Sequence, residues 1–375
     1  MLQESRYPFV AVVGQEEMKD ALILAAVNPR VQGVLLLGAK GTGKTSAVRG
    51  LVEILPTVNV STCANGLGCR PEYLLTAPEL VCASCRDRLA QGEEIATDMQ
   101  QRLVELPLNV GVEDVVGGAN RRLEVEQRRL RFEPGILSYA NNNILYIDEI
   151  NLLGSDVLNA IIDAAATGYT VVRRGLVVGS YPSRFTLVSS MNPEEGDLRP
   201  QLLDRIGLRV YVNPVATVEE RLEVYRRFSA YQDNPEGFRA SYAGQTALVQ
   251  AAITQARSRL AQVKVGAAAG AAAIAVIQQL GIESHRTEIV LFEAARAYAA
   301  LDERTEVSSS DVAAVAPLVL RRRRTAGPDY QAAQQREDVE IGAVVRAHTA
   351  SLSKLQQRRK AKANQTHNGA QETEQ

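Results

Sequence analysis

The sequence predicts an α/β domain built on a parallel sheet, followed by an all-α domain. Three observations carry this. A short apolar strand at 33–37 runs into a glycine-rich turn and then a helix over 44–55. A second apolar strand, 143–147, ends in the adjacent acids Asp148 and Glu149. From Thr217 onward the apolar spacing is helical, over 219–231, 246–263, 267–280, 286–301 and 311–323.

The elements follow in order. A loop and a helix at 15–27 precede the first strand. Residues 56–130 are less regular and read as an insertion; they hold all four cysteines, a charged stretch at 86–102, and Gly117-Gly118. After the strand at 143–147 come a helix at 155–167, an alternating segment at 169–178, and a strand at 184–189 leading to Met191-Asn192-Pro193. A strand at 208–212 closes the α/β domain, placed at 1–215. The all-α domain takes 216–325, with Ser310 as N-cap of its last helix. A helical extension follows at 326–355. The polar stretch 356–375 lacks aromatic residues and reads as a disordered tail.

Composition excludes several classes. Hydrophobic residues make up 46% and charged residues 23%, as in ordinary globular domains. A net charge of -1 gives no overall drive toward nucleic acid or an anionic membrane, although basic residues cluster at Arg321–Arg324 and at 358–362. Apolar runs are too short for a membrane span, and the N-terminus has no secretory leader, so the sequence predicts a cytoplasmic protein.

The turn after the first strand reads Gly38-Ala39-Lys40-Gly41-Thr42-Gly43-Lys44-Thr45, the phosphate-loop pattern. Its glycines let backbone N–H groups turn inward around phosphates, and the following helix offers its positive end. Lys44 neutralises β/γ-phosphate charge, and the Thr45 hydroxyl is a ligand for Mg²⁺. Asp148, delivered by the apolar strand, completes that Mg²⁺ shell. Glu149 beside it has the chemistry of a base for the attacking water. The cofactors expected are therefore ATP and Mg²⁺. Asn192, at the end of the next strand, can orient that water; the bland alternative is an Asn-Pro turn. Arg205 can stabilise γ-phosphate charge from a neighbouring subunit, or form a surface ion pair with Asp204. Arg286 opens a later helix and can touch phosphate.

The cysteines read Cys63-x₅-Cys69 and Cys82-x₂-Cys85. Three readings stand: a four-thiolate Zn²⁺ site, a dithiol switch at Cys82/Cys85, or reduced thiols without a special role.

These motifs and their flanks resemble the ATPase subunit I of magnesium chelatase, a member of the AAA+ superfamily. The resemblance runs from Tyr7 to Arg324. It is carried by Val13-Gly14-Gln15-Glu16-Glu17, by ILYIDEINLL from Ile144, and above all by MNPEEGDLRPQLLDRIG from Met191. It implies an AAA+ P-loop core, a hexameric ring, a β-hairpin insertion at 169–183, and partner subunits D and H for Mg²⁺ insertion into protoporphyrin IX. By motif, Lys44, Thr45, Asp148, Glu149, Asn192, Arg205 and Arg286 take the roles above, and Val13, Gly14 and Gln15 lie near adenine. Arg286 departs from the family pattern in being followed by Thr287 rather than glycine. A MoxR-like AAA+ chaperone shares this architecture and is the rival reading. A helicase of the MCM type is a distant third, disfavoured by the charge balance.

Overall fold

A computed structural model describes residues 6–63, 66–119, 132–174, 177–196, 198–321 and 330–348. The chain forms two compact units, Met1–Gln255 and Ala256–Gln375. The boundary expected at 215/216 thus falls inside the first unit.

The first unit opens with α1 (Glu16–Val27), β1 (Val34–Leu37) and α2 (Lys44–Leu51). An antiparallel ribbon follows, β2 (Thr57–Ser61) with β3 (Ala96–Gln100), enclosing the short helices α3 (Tyr73–Thr76) and α4 (Ala83–Ala90). Next come β4 (Leu103–Glu105), α5 (Val112–Val116), the pair β5 (Gly117–Ala119) and β6 (Phe132–Pro134), and α6 (Ile136–Tyr139). The remainder is β7 (Ile144–Ile147), α7 (Ser155–Thr167), β8 (Tyr169–Arg174), β9 (Val177–Pro182), β10 (Thr186–Met191), α8 (Pro200–Leu203), β11 (Leu208–Tyr211) and α9 (Val218–Asp233). Helix α10 (Pro235–Arg259) runs across the division between the units.

Five strands form one parallel sheet in the order β11-β1-β10-β7-β4. Every residue of β1, β7, β10 and β11 is buried, which is why β1 and β7 run apolar without alternation, while β10 and β11 bury the polar Thr186, Ser189, Ser190 and Arg209. Each fully buried aliphatic side chain contributes roughly 1.5–3 kcal/mol. Strand β10 lies between β1 and β7, so three carboxyl-terminal strand ends meet where the order of connection reverses. Such crevices are where open α/β sheets bind ligands.

Two features correct the sequence reading of the first unit. The stretch 56–130 is not insertion throughout, because β4 within it pairs with β7 as a strand of the central sheet. With three residues, none of them buried, β4 carries no apolar run to announce it. Helix α10 begins eleven residues before the expected 246, behind Pro235 at its first turn. Gly237, Ser241 and Gly244 mask its periodicity. The alternating segment at 169–178 does form a hairpin, β8 with β9, in register Tyr169↔Pro182.

The second unit holds α11 (Ala267–Gln279), α12 (His285–Leu301), α13 (Ser309–Leu320) and α14 (Tyr330–His348), with a two-residue parallel pair of Lys264–Val265 and Glu306–Val307. The cap of α13 is Ser308, not Ser310. Asp311 accepts from the Ser308 backbone N–H at 2.7 Å and from its hydroxyl at 2.9 Å, completing a capping box. Arg304 clamps the same carboxylate. Arg321 is buried against Asp338, Nε to Oδ1 2.6 Å. Residues 322–324, the second basic cluster at 358–362 and the tail at 356–375 lie outside the described residues.

Candidate active site

The phosphate loop leaves β1 at Gly38, whose N–H donates to Met191 O at 3.1 Å. A Cβ at Gly38 would stand 2.2 Å from Val212 O, so only glycine fits between β10 and β11. Gly43 holds φ +87° and opens α2, a left-handed turn that glycine adopts without cost. Lys44 is buried. Its Nζ donates to the carbonyls of Gly38 and Ala39, both at 2.8 Å, and to Thr42 Oγ1 at 3.4 Å. Burial lowers its pKa from the usual lysine value, opposed by the carboxylates of Asp148, Glu149 and Glu195.

Thr45 and Asp148, 103 residues apart in sequence, meet here: Thr45 Oγ1 lies 3.3 Å from Asp148 Oδ2. Tyr146 on β7 donates to Asp148 Oδ1 at 2.9 Å and lies 3.2 Å from Thr45 Oγ1. Burial pushes the Tyr146 phenol up to about 12, so it stays protonated as a donor at neutral pH. Ser190 on β10 donates a short hydrogen bond to the same Oδ1 and accepts from the Glu149 N–H at 3.1 Å. Tyr146 and Ser190 thus aim the carboxylate, and sequence reasoning passed over both. Tyr146 stood inside the apolar strand; nothing local marked Ser190.

Glu149 sits at φ +53°, a left-handed conformation that costs a non-glycine residue on the order of 1 kcal/mol or more. The Ser190 bond to its N–H helps hold it. Lys40 Nζ lies 3.0 Å from Glu149 Oε1 and 2.8 Å from Glu195 Oε1. Its hydrogen bonds to Glu195 and then Glu149 hold its pKa above the usual lysine range. Asn192, one residue past Met191, emerges beside the loop; its Oδ1 accepts from the Glu194 N–H at 3.3 Å, the Asn-Pro turn of the bland reading. Thr45 and Asp148 offer hard oxygen donors at one point, a set that suits Mg²⁺.

A cavity of about 360 Å³ adjoins the loop, lined by Val13, Gln15, Gly41, Thr42 and Gly43. Its opposite wall is Pro214, Val215, Val224, Phe228 and Tyr231. Gln15 is fixed by donating to Asn213 O at 2.6 Å. Gly14 faces Val215, its Cβ position 3.2 Å from Val215 Cγ1. The size and apolar lining suit a planar heterocycle. The α9 residues of this wall were missed because that helix was assigned to another domain.

Arg205 follows α8 and lies 3.4 Å from Asp163, not Asp204, with its side chain 39% exposed and that of Asp163 75%. Its loop is anchored from below by the buried Arg209, whose guanidinium donates to Leu203 O. Arg286 is the second residue of α12, carried by the second unit. The four cysteines come together: their sulfurs lie within 4.8 Å of one another.

The sheet order, the phosphate loop at β1 and the paired acids at β7 define an AAA+ P-loop ATPase core. A solved structure of a putative ATPase from Cytophaga hutchinsonii shares the fold, with TM-score 0.56 at 18% identity over 90% of this chain and 91% of that one. The AAA lid domain family matches residues 270–343, and the family "Magnesium chelatase, subunit ChlI" matches 126–201. The magnesium-chelatase subunit ChlI homolog of Methanocaldococcus jannaschii is 39% identical over 88% of each chain. The magnesium-chelatase 38 kDa subunit of Acidiphilium rubrum is 40% identical over 86% of this chain and 92% of its own. The chain belongs to the magnesium-chelatase subunit ChlI family.

Replacing Lys44 by Ala is expected to weaken nucleotide binding by roughly 100-fold or more. Hydrogen bonds to charged groups contribute about 1.5–3 kcal/mol each, and on the expected role an ammonium at this position would give its donors to phosphate. Calorimetric affinity equal to the parent's would remove Lys44 from the phosphate site.

Proposed function

We propose that this chain is the ATP-hydrolysing motor subunit of a magnesium chelatase, driving Mg²⁺ insertion into protoporphyrin IX for chlorophyll or bacteriochlorophyll synthesis. One observation carries the mechanistic part: Lys40, Thr45, Asp148 and Glu149 converge at adjacent strand ends beside an apolar cavity. The cavity takes the adenine, with Val13, Gly14 and Gln15 at its edge. Gly38 to Thr45 wrap the phosphates, and Lys44 turns from the loop carbonyls to the β/γ-phosphates. Thr45 and Asp148 would hold the nucleotide's Mg²⁺, which would supply positive charge against the phosphates. Glu149 takes the proton of the attacking water, and Asn192 orients that water. Arg205 serves the site of the adjacent subunit in a homo-oligomeric ring, most simply a hexamer. Arg286 contacts phosphate, as the family motif implies. Subunits D and H are the protein partners, and the complex works in the cytoplasm. Among the described residues no helix is long and apolar enough to cross a membrane. ATP with Mg²⁺ belongs to this site; zinc belongs to the cysteine cluster.

The test is reconstitution of the full chain with subunits D and H, ATP, Mg²⁺ and protoporphyrin IX, following the fluorescence of the metallated product. ATP-dependent product formation is expected, and the D and H mixture without this chain should be inactive. ATP hydrolysis by the chain without any metallated porphyrin in the complete mixture would favour the MoxR-like chaperone reading instead.

A further inference from the structure

We infer that Cys63, Cys69, Cys82 and Cys85 bind one Zn²⁺ as a closed tetrathiolate site that fastens the segment between β2 and β3 to the turn entering β7, the strand that leads to Asp148 and Glu149. The four sulfurs lie within 4.8 Å of one another, and Cys63 Sγ is 3.5 Å from Cys82 Sγ. A tetrahedral Zn–thiolate centre has Zn–S bonds of about 2.3 Å, which puts its sulfurs roughly 3.8 Å apart. The spacing therefore matches a shared ion, and all four cysteines are free. Four protein ligands leave no open position, the mark of a structural rather than a catalytic zinc. Each thiol that binds gives up its proton, so the ion replaces four protons and no redox partner is needed.

The surroundings suit thiolates. Cys82 is the N-cap of α4 and Cys85 lies in its first turn, where the helix N-terminus favours negative charge. The Cys82 N–H donates to Cys69 Sγ at 3.4 Å, and Ser61 Oγ lies 3.1 Å from Cys85 Sγ. Such second contacts orient metal ligands. Three of the cysteines are buried, and the cluster around them adds only Leu67, Val81 and Ile95 as buried apolar residues. A core that small is poorly suited to hold the 62–95 excursion without a staple.

What the staple fixes is visible next to it. Asn141 Nδ2 donates to Leu67 O at 2.9 Å, and Asn142 Nδ2 to Gly68 O at 2.8 Å. Arg70 Nε donates to Asn142 Oδ1 at 3.0 Å. These bonds join the chain on both sides of Cys69 to the turn that starts β7. On the hairpin side Arg184 lies over the Tyr73 ring at 5.4 Å. The metal thus secures a brace at the entry of β7, remote from the nucleotide itself.

The experiment is metal analysis of the full chain purified without chelators. One zinc per chain is expected, with X-ray absorption showing four sulfur neighbours at about 2.3 Å. Cobalt exchanged into the protein should show thiolate charge-transfer bands and tetrahedral d–d bands. Zinc loss should expose the segment between Cys63 and Ile95 to protease while nucleotide affinity stays within about twofold of the parent's. Cys85→Ser should lose the metal, and Cys63→His should retain it with a shifted cobalt spectrum. If Cys85→Ser does not fold, the zinc content and cobalt spectrum of the parent chain decide. A parent chain that takes up no zinc when it is supplied would overturn the inference. So would a Cys82–Cys85 disulfide in the native chain, or rapid alkylation of all four thiols.

Discussion

Arg205→Ala is expected to lower steady-state ATP hydrolysis by roughly 10³-fold or more while leaving nucleotide binding within a few-fold of the parent. An arginine supplied to γ-phosphate acts when charge spreads over the transferring group, so it stabilises the transition state far more than the bound nucleotide. Arg205 takes this role in the proposed reading. It stands on a loop pinned by Arg209 and by the Gly207 and Leu208 N–H bonds to Gln32 O and Gly33 O, with its side chain 39% exposed. The competing reading is a structural pair with Asp163. That pair is long at 3.4 Å and solvated, and exposed pairs contribute about 0–1 kcal/mol. Asp163→Asn should therefore leave hydrolysis near the parent rate, and an equal loss in both variants would assign Arg205 a structural role. Complementation adds a geometric readout. An Arg205→Ala subunit keeps a sound phosphate loop, and a Lys44→Ala subunit keeps a sound arginine. In the proposed ring, mixed assemblies would contain interfaces that pair the two sound halves, so phosphate release should reappear on titrating one inactive variant into the other. No recovery, with mixed rings verified by native mass spectrometry, would mean that Arg205 acts within its own subunit.

Glu149→Gln is expected to keep ATP binding and to slow hydrolysis by about 10²–10⁴-fold, the usual contribution of a positioned base. The amide fills the same space and keeps the backbone N–H bond to Ser190, but it cannot accept a proton. The substitution also removes the charge that Lys40 pairs with at 3.0 Å, though Lys40 keeps Glu195 at 2.8 Å. The exposed ion pair is a small term, so stability should change little. Single-turnover chemistry at saturating nucleotide separates the step from binding. Turnover at the parent rate would exclude Glu149 as the base.

Much of the candidate site was legible because its signals are local. A glycine-rich turn between an apolar strand and a helix has few other structural solutions, and Gly38 and Gly43 stand where any side chain would clash or strain. The acids after β7 were legible because buried parallel strands are continuously apolar and end abruptly. The cap at Ser308 was within reach of the same reasoning. Ser308 to Asp311 is a capping-box spacing, and the adjacent Ser310 drew attention from it.

The sequence by itself determined the phosphate loop, the paired acids, the order of α/β and helical regions, and the kinship with chelatase subunit ChlI. Each is written in neighbouring residues or in a run of motifs, so no distant contact is needed to read it. Only the tertiary structure decided that β10 lies between β1 and β7, bringing Ser190 to Asp148 from 42 residues away. It also decided that β4 joins the sheet, and that α9 walls the cavity beside Val13 and Gln15. The convergence of Cys63 and Cys69 with Cys82 and Cys85 is of the same kind. In each case the partner is set by sheet order and packing between residues far apart in the chain, and local pattern carries no record of which distant surface a residue will face.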